Sequence, residues 1–337
     1  MPPTIKDVAR IAQVSITTVS KVINNHPSIS EKTANRVKEV IKEINYTPNL
    51  RARNFASKKT MRVAFVAHIK VNTAFINPHL FEIMIGCQKH LHNNNYQMEF
   101  IGLKSGDFDQ EIKYLIDSKS VDGVIVHVSA LTIETSRYLI KTNFPHVVIG
   151  EPNFSSSVCW IDNNNEFSGR LAAKHLIDIG VRKIAYLGGS KKDQISETRL
   201  LGIKIELMER KINIMDDHII NTNSTYEDSY NKTQEFINNI GIPEAIICAN
   251  NTIVLGCMDA LNNLEIAIPK EVAVVTFDDY PYAVITKPPT TSINIDVFDL
   301  GKQAAQFLLN KIRKPNYWFQ TYVTSPLLVV RKTTQSD

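Results

Sequence analysis

TIKDVARIAQVSITTVSKVIN, residues 4 to 24, opens the chain with two short amphipathic segments separated by a tight turn. Thr4 is placed to cap a helix, with Asp7 as its reciprocal partner three residues on, and Ile5, Val8, Ala9 and Ala12 then recur at helical spacing. Ser15 is placed to cap a second helix, which turns Val19, Val22 and Ile23 inward and leaves Ile16, Thr17 and Lys21 outward. Ser30 caps a third, in which Ala34, Val37, Val40, Ile41 and Ile44 form the apolar stripe that closes a small bundle and which should end near Asn45.

A helix-turn-helix lays its second helix in the major groove, with residues near that helix's N-terminus against base edges. In that reading Lys21 reaches guanine acceptors or a phosphate, Thr17 donates or accepts, and Ile16 packs on a thymine methyl. A purely structural three-helix bundle shows the same periodicity, so the pattern alone leaves both readings open.

Charge separates the two better. The net charge of +4 hides an asymmetry: residues 1 to 60 carry eleven Lys or Arg against four Asp or Glu, whereas the rest carries 27 against 30. Basic charge concentrated in a small helical unit favours a polyanion partner over a membrane, because no basic amphipathic helix with a bulky apolar face accompanies it. No run of eighteen apolar residues occurs, and the sequence enters a capped helix without an apolar signal segment, so a cytoplasmic, membrane-free protein is expected. After Tyr46 and Pro48, NLRARNFASKK, residues 49 to 59, is too poor in apolar positions to hold a helix alone and reads as a solvated linker.

From Arg62 the period changes. RVAFVAH, YQMEFIG, VDGVIVHV and HVVIGE are strand-like runs, with helical segments after the first three near 79–92, 109–118 and 132–141. RKIAYLGG, EAIICAN and EVAVVTFDD form a second series, separated by helical segments at 164–179, 194–211, 226–239 and 251–264. The alternation predicts two doubly wound α/β lobes, with a ligand cleft beyond the strand C-terminal ends.

Other chemistry finds little support. Gly188 and Gly189 follow a strand, but the G-x-G-x-x-G spacing and any Walker lysine loop are missing. No G-x-S-x-G or H-E-x-x-H motif occurs, and His90 and His92 fall on opposite sides of a helix, which is poor for a shared metal. Cys87, Cys159, Cys248 and Cys257 are scattered and read as buried free thiols. No catalytic residue, cofactor or metal is expected, and an enzyme is the weakest of the readings.

Residues 4 to 24 together with SISEKTANRVKEVIKEINYTPN, residues 28 to 49, closely resemble the DNA-binding head of the LacI/GalR family of bacterial transcription regulators. VDGVIV, WIDNN, AAKHLIDIGVRKIAYLGG, AIICANN and VTFDDYP with PPTTSI resemble the same family's effector domain, itself similar to periplasmic sugar-binding proteins, over essentially all of residues 61 to 330. The resemblance implies a multi-domain fold: an all-α head over 1–46, a hinge helix within 47–60, and a two-lobed α/β unit over 61–337. In that family the chain crosses between lobes three times. That places the first lobe at about 61–161 plus 292–325 and the second at about 162–291 plus 326–337. The implied protein is a homodimeric repressor of carbohydrate-related genes, bound to a near-palindromic operator and controlled by a small sugar or sugar phosphate. A transport receptor for sugars is the alternative, and the basic head argues against it.

The resemblance also implies roles for residues. In the head, Thr4, Ser15, Ile16, Thr17, Thr18, Ser20, Lys21, Asn24 and Tyr46 fall at DNA-contact positions. In the hinge, Asn49, Ala52 and Arg53 match the family pattern, and Phe55 stands where a bulky residue, usually Leu, wedges into the minor groove. In the cleft, Asp278 and Arg199 match the pair that satisfies sugar hydroxyls, Asn250 supplies an amide, and Tyr226 stands where an aromatic often meets the sugar face. Phe75, Asn77 and Gly150 line the first-lobe side. The chain departs from the pattern at Gln13 (usually Gly), Lys21 (mostly Arg), Gly150 (often Asp) and Asn251 (usually acidic). A non-glycine in the turn implies modest strain or a slightly altered turn, and a lysine lacks the bidentate fork of arginine.

Overall fold

The computed structural model describes residues 3–23, 26–47, 59–68, 78–103, 107–191, 193–279, 281–317 and 321–335. The chain divides into two compact units, residues 1–60 and 61–337.

In the first unit, α1 (Ile5–Ile11), α2 (Ile16–Ile23) and α3 (Glu31–Glu43) enclose a core of Val8, Ala9, Ala12, Val19, Val22, Val37, Val40 and Tyr46. These are the inward positions of the three helical periods. Thr4 N and Oγ1 both donate to Asp7 Oδ2, at 3.0 and 2.8 Å, which ties the first turn of α1. Ser15 Oγ accepts from Thr18 N at 3.0 Å, and Ser30 Oγ accepts from Thr33 N at 3.4 Å, so each remaining helix starts at its expected cap. The α1–α2 turn passes through Gln13 at φ 50°, the left-handed region that favours glycine. Of the two outcomes read from the sequence, the turn keeps its left-handed residue at Gln13 and carries the modest strain of a side chain there.

The second unit holds two six-stranded sheets. The first contains β1 (Arg62–His68), β2 (Gln97–Leu103), β3 (Gly123–His127), β4 (His146–Ile149), β5 (Trp160–Asn163) and β11 (Thr321–Thr324), in the order β11-β5-β4-β3-β1-β2. Every pair in it is parallel. Helices α4 (Pro78–Asn93), α5 (Phe108–Asp117) and α6 (Ile133–Thr142) belong to this lobe. The second sheet contains β6 (Ile184–Gly188), β7 (Ile219–Asn221), β8 (Ala245–Cys248), β9 (Ala273–Phe277), β10 (Thr291–Asn294) and β12 (Leu327–Val329), in the order β12-β10-β9-β8-β6-β7. Only the β10–β12 pair is antiparallel. Around it stand α7 (Asn165–Asp178), α8 (Gln194–Glu209), α9 (Tyr226–Ile240) and α10 (Asn251–Asn263). Parallel strands covered on both faces must be apolar throughout, and Val63 to Ala67 of β1 are all fully buried.

The chain leaves the first sheet after Asn163, returns after Asn294 through α11 (Val297–Arg313), which packs along α4, and leaves again after Thr324. The first two crossings fall a few residues later than the boundaries at 161 and 292. Asp162 and Asn163 still pair with Val323 and Thr324, and Ser292 and Ile293 still pair with Thr276 and Phe277.

One close approach positions the site described next. A Cβ on Gly202 of α8 would lie 1.9 Å from the Glu166 carbonyl oxygen, and one on Gly169 of α7 would lie 2.0 Å from that of Arg199. The two glycines let the helices touch backbone to backbone, which sets Arg199 against the start of α7.

Candidate nucleic-acid interface and ligand cleft

On the head, Ile16 is 45% exposed and Thr17 and Lys21 are exposed, while Val19 and Val22 on the opposite face of α2 are buried. Ser15 and Thr18 are tied to one another, their hydroxyls 2.9 Å apart, so they brace the N-terminal turn of α2 as well as standing near its exposed face. Ser20 is half-buried, and Thr4 is exposed with its hydroxyl turned to Asp7. That hydroxyl and the Thr4 backbone N–H hold the Asp7 carboxyl below its usual range. Tyr46 is 8% exposed, and its ring closes the core of the head. Asn24, Asn49, Ala52, Arg53 and Phe55 lie outside the described residues.

In the second unit a cleft of about 630 Å³ opens at the C-terminal ends of β3, β4 and β5. Its first-lobe wall includes Val128, Ser129, Leu131, Gly150, Glu151, Asn153, Trp160 and Asp162. Asn164, Asn165 and Glu166 at the start of α7, and Asp193, Gln194, Ile195 and Thr198 at the start of α8, form the opposite wall. A pocket lined from both lobes where the strands end is where an open α/β sheet takes a ligand.

Arg199 stands just behind this lining, 4% exposed. Its Nε donates to Asn165 Oδ1 at 3.2 Å, its Nη1 to the Ala249 carbonyl at 2.6 Å, and its Nη2 to Asp278 Oδ1 at 3.3 Å. Its guanidinium also lies 4.4 Å from the centroid of the Phe277 ring. Asp278 follows β9 at φ 71°, an uncommon backbone state for a residue with a side chain. Its backbone N–H donates to Ile293 O at 2.9 Å, which fixes the carboxylate at the strand end. The structure therefore brings Arg199 and Asp278 together as a buried ion pair.

Two groups absent from the expected site join it. His79, at the start of α4 in the first lobe, reaches across: its Nε2 lies 3.7 Å from Asp278 Oδ2 and 3.3 Å from Asn251 Nδ2. Asp162 of β5 is 9% exposed, with Oδ2 accepting from Glu151 N at 3.0 Å and Oδ1 from Asn163 N at 2.7 Å. Burial raises the Asp162 carboxyl above its usual range, and burial together with the charge of Asp162 raises that of Glu151.

Other expected contacts fare differently. Gly150 lines the cleft at φ 96°, and a Cβ there would lie 2.6 Å from Val128 Cγ1, so Val128 fills the place of an acidic side chain. Asn250 caps α10, its Oδ1 accepting from Thr252 N and Ile253 N at 3.0 Å each, which leaves its amide NH2 as the donor at the rim. Tyr226 is exposed, its hydroxyl donates to Asp259, and its ring stacks on Tyr230 at 6.4 Å. Phe75 and Asn77 lie outside the described residues. The four cysteines are buried free thiols, and among the described residues no group of three His, Cys, Asp or Glu is arranged to hold a metal. No described helix is long and apolar enough to cross a membrane.

Comparison with known proteins matches both units. Residues 4–49 match the family of bacterial regulatory proteins, lacI family, and residues 173–334 match a periplasmic binding protein-like domain. The chain is 31% identical over 336 residues to a ribose operon repressor of Haemophilus influenzae, covering 99% of each protein. It is 31% identical over 333 residues to the transcriptional repressor PurR of Vibrio vulnificus, covering 98% of each. Among solved structures, a complex of the transcriptional regulator CelR with cellobiose superposes with a TM-score of 0.74 at 27% identity, over 98% of this chain and 99% of that one.

Proposed function

We propose, from the premise that this chain belongs to the lacI family of bacterial regulatory proteins, that it represses carbohydrate-related genes by binding a near-palindromic operator as a homodimer, under control of a small carbohydrate held between its two lobes. The observation that carries the DNA-binding half is α2: capped by Ser15 and packed on its inner face, it presents Ile16, Thr17 and Lys21 to solvent at its N-terminal end. One such helix spans too few base pairs for specificity, and a two-fold protein reads a two-fold site. Ile16 meets a thymine methyl, Thr17 a base edge, and Lys21 a guanine or a phosphate. The hinge role of Phe55 as a minor-groove wedge, flanked by Asn49, Ala52 and Arg53, is proposed from the sequence.

Support for the effector half comes from the cleft. The Arg199–Asp278 pair, the asparagine-rich wall and the Trp160 ring suit a molecule with several hydroxyls and an apolar ring face. The similar ribose operon repressor and the CelR complex with cellobiose favour a carbohydrate. His79 makes the cleft a coupling device: a ligand that engages Asp278 competes with a contact between the lobes, and so shifts how they close. The protein acts on DNA in the cytoplasm and has no catalytic role.

Footprinting on the DNA upstream of its own gene tests the reading. The expected result is symmetric protection of two half-sites by a dimer, with affinity falling steeply as salt rises. Protection of one half-site by a monomer contradicts it.

A further inference from the structure

We infer that the effector is a polyhydroxylated molecule carrying no anionic group, so that phosphorylated sugars are rejected by the cleft. This rests on the reading of the cleft as the effector site. Four carboxylates line it, from both lobes: Glu151 and Asp162 on one wall, Glu166 and Asp193 on the other. No lysine or arginine among the described residues lines it.

The buried cation nearest by, Arg199, is already directed at Asp278, Asn165 and the Ala249 carbonyl. Burial raises the Asp162 carboxyl against the pull of two backbone N–H groups and of Arg199, and burial followed by the charge of Asp162 raises that of Glu151. An incoming phosphate would meet that charge at close range.

Helix N-termini are the usual refuge for a phosphate, because their backbone N–H groups and dipoles attract anions. Of the helices that start around this cleft, α7, α8 and α10 have their starts occupied from within, α10 by Asn250 Oδ1 on Thr252 N and Ile253 N. Asn164 Oδ1 accepts from Phe167 N at 2.9 Å, and Asp193 Oδ1 accepts from Ser196 N at 3.2 Å. The α8 terminus thus holds its own carboxylate where a phosphate would sit. Carboxylates are acceptor-only groups with several lone-pair sites, so four of them suit a ligand rich in O–H or N–H donors. An ammonium would gain charge-assisted bonds there.

The test is calorimetric titration and thermal shift of the full-length protein, at fixed ionic strength, with a library of neutral aldoses and disaccharides, their amino derivatives and their phosphate esters. Any sugar that binds should be neutral or amino-substituted, and its phosphate ester should bind at least about tenfold more weakly, as expected for like charges juxtaposed at a binding surface. Glu151 and Glu166 are exposed, so the Glu151→Gln/Glu166→Gln protein should keep its fold. It should bind an amino sugar less well relative to the neutral parent and narrow the gap between parent and phosphate ester. A phosphate ester that binds more tightly than its parent overturns the inference and leaves the effector reading standing. The same holds if the double variant leaves all ratios unchanged. Failure of every member of the library to bind overturns the carbohydrate-effector reading, and this inference with it.

Discussion

Replacing Asp278 by Asn isolates the charge that pairs with Arg199 behind the cleft lining. The side chain keeps its size, and Asn is among the residues that best tolerate the φ of 71° found there, so the backbone should not move. What is lost is the negative partner of Arg199, whose side chain is 5% exposed and whose Nη2 lies 3.3 Å away. At an effective dielectric of about 20, two unit charges at that separation attract by about 5 kcal/mol, most of it offset by the desolvation of both groups. Breaking a buried pair from one side costs about 3–5 kcal/mol. The Ala249 carbonyl, Asn165 and the Phe277 ring still hold the guanidinium, which places the expected loss at the low end, about 3 kcal/mol. Both tryptophans, Trp160 and Trp318, fall in residues 61–337, so urea unfolding followed by their fluorescence reports this unit alone. The midpoint should fall, sugar affinity should drop, and operator affinity without effector should be unchanged. An unchanged midpoint together with unchanged sugar affinity would refute the assignment of the pair.

Lys21→Ala should weaken binding to the cognate operator by about 1–3 kcal/mol if Lys21 reads a base edge, whereas an equal loss on cognate and random DNA in gel shifts would make it a phosphate contact. Gly202→Ala forces a methyl to within 1.9 Å of the Glu166 carbonyl oxygen. Separating α7 and α8 should cost about 1–3 kcal/mol in urea unfolding and displace Arg199, lowering sugar affinity in the same titration. Burial holds His127 and His146 neutral, with the pKa of each pushed down to about 4. Their contribution to stability is complete above about pH 6.5, where the unfolded histidines lose their protons, and falls as pH drops toward 4. Each contributes at most about 3 kcal/mol, and the raised Asp162 carboxyl opposes the trend at its acid end. Urea midpoints at a series of pH values should show this slope, and His146→Gln should flatten it.

The reading of the head from its sequence succeeded where caps and period agree. Ser15 and Ser30 sit where their helices start, and the valines at helical spacing fill the core. Tyr46 shows the limit. A residue just past a helix offers no period by which to judge its direction, and a tertiary contact decided it: the chain folds back with Tyr46 N on Ile41 O at 2.9 Å, and the ring goes inward. In the second unit the longer apolar strands were plain, while β7, β11 and β12, three or four residues each, carry too few positions to show alternation. Arg199 and Asp278, 79 residues apart in the chain, were legible only through family likeness, since nothing local pairs them.

Trp160 and Asp162 could have been found without the structure. In WIDNN, read as a strand, period two puts both on one face, and that face is the wall of the cleft. His79 carried no such signal, because its partners Asp278 and Asn251 lie in the other lobe. Gly150 looked like a missing ligand contact, whereas its φ of 96° and the Val128 side chain account for the glycine.

Reciprocal linkage tests the central claim most directly. Operator affinity is measured by fluorescence anisotropy with and without saturating sugar, and sugar affinity by calorimetry with and without saturating operator. If one protein couples a cleft ligand to DNA binding, the two affinities must change by the same factor, expected at about 5–150-fold. A sugar that binds the cleft tightly while leaving operator affinity unchanged would contradict the account.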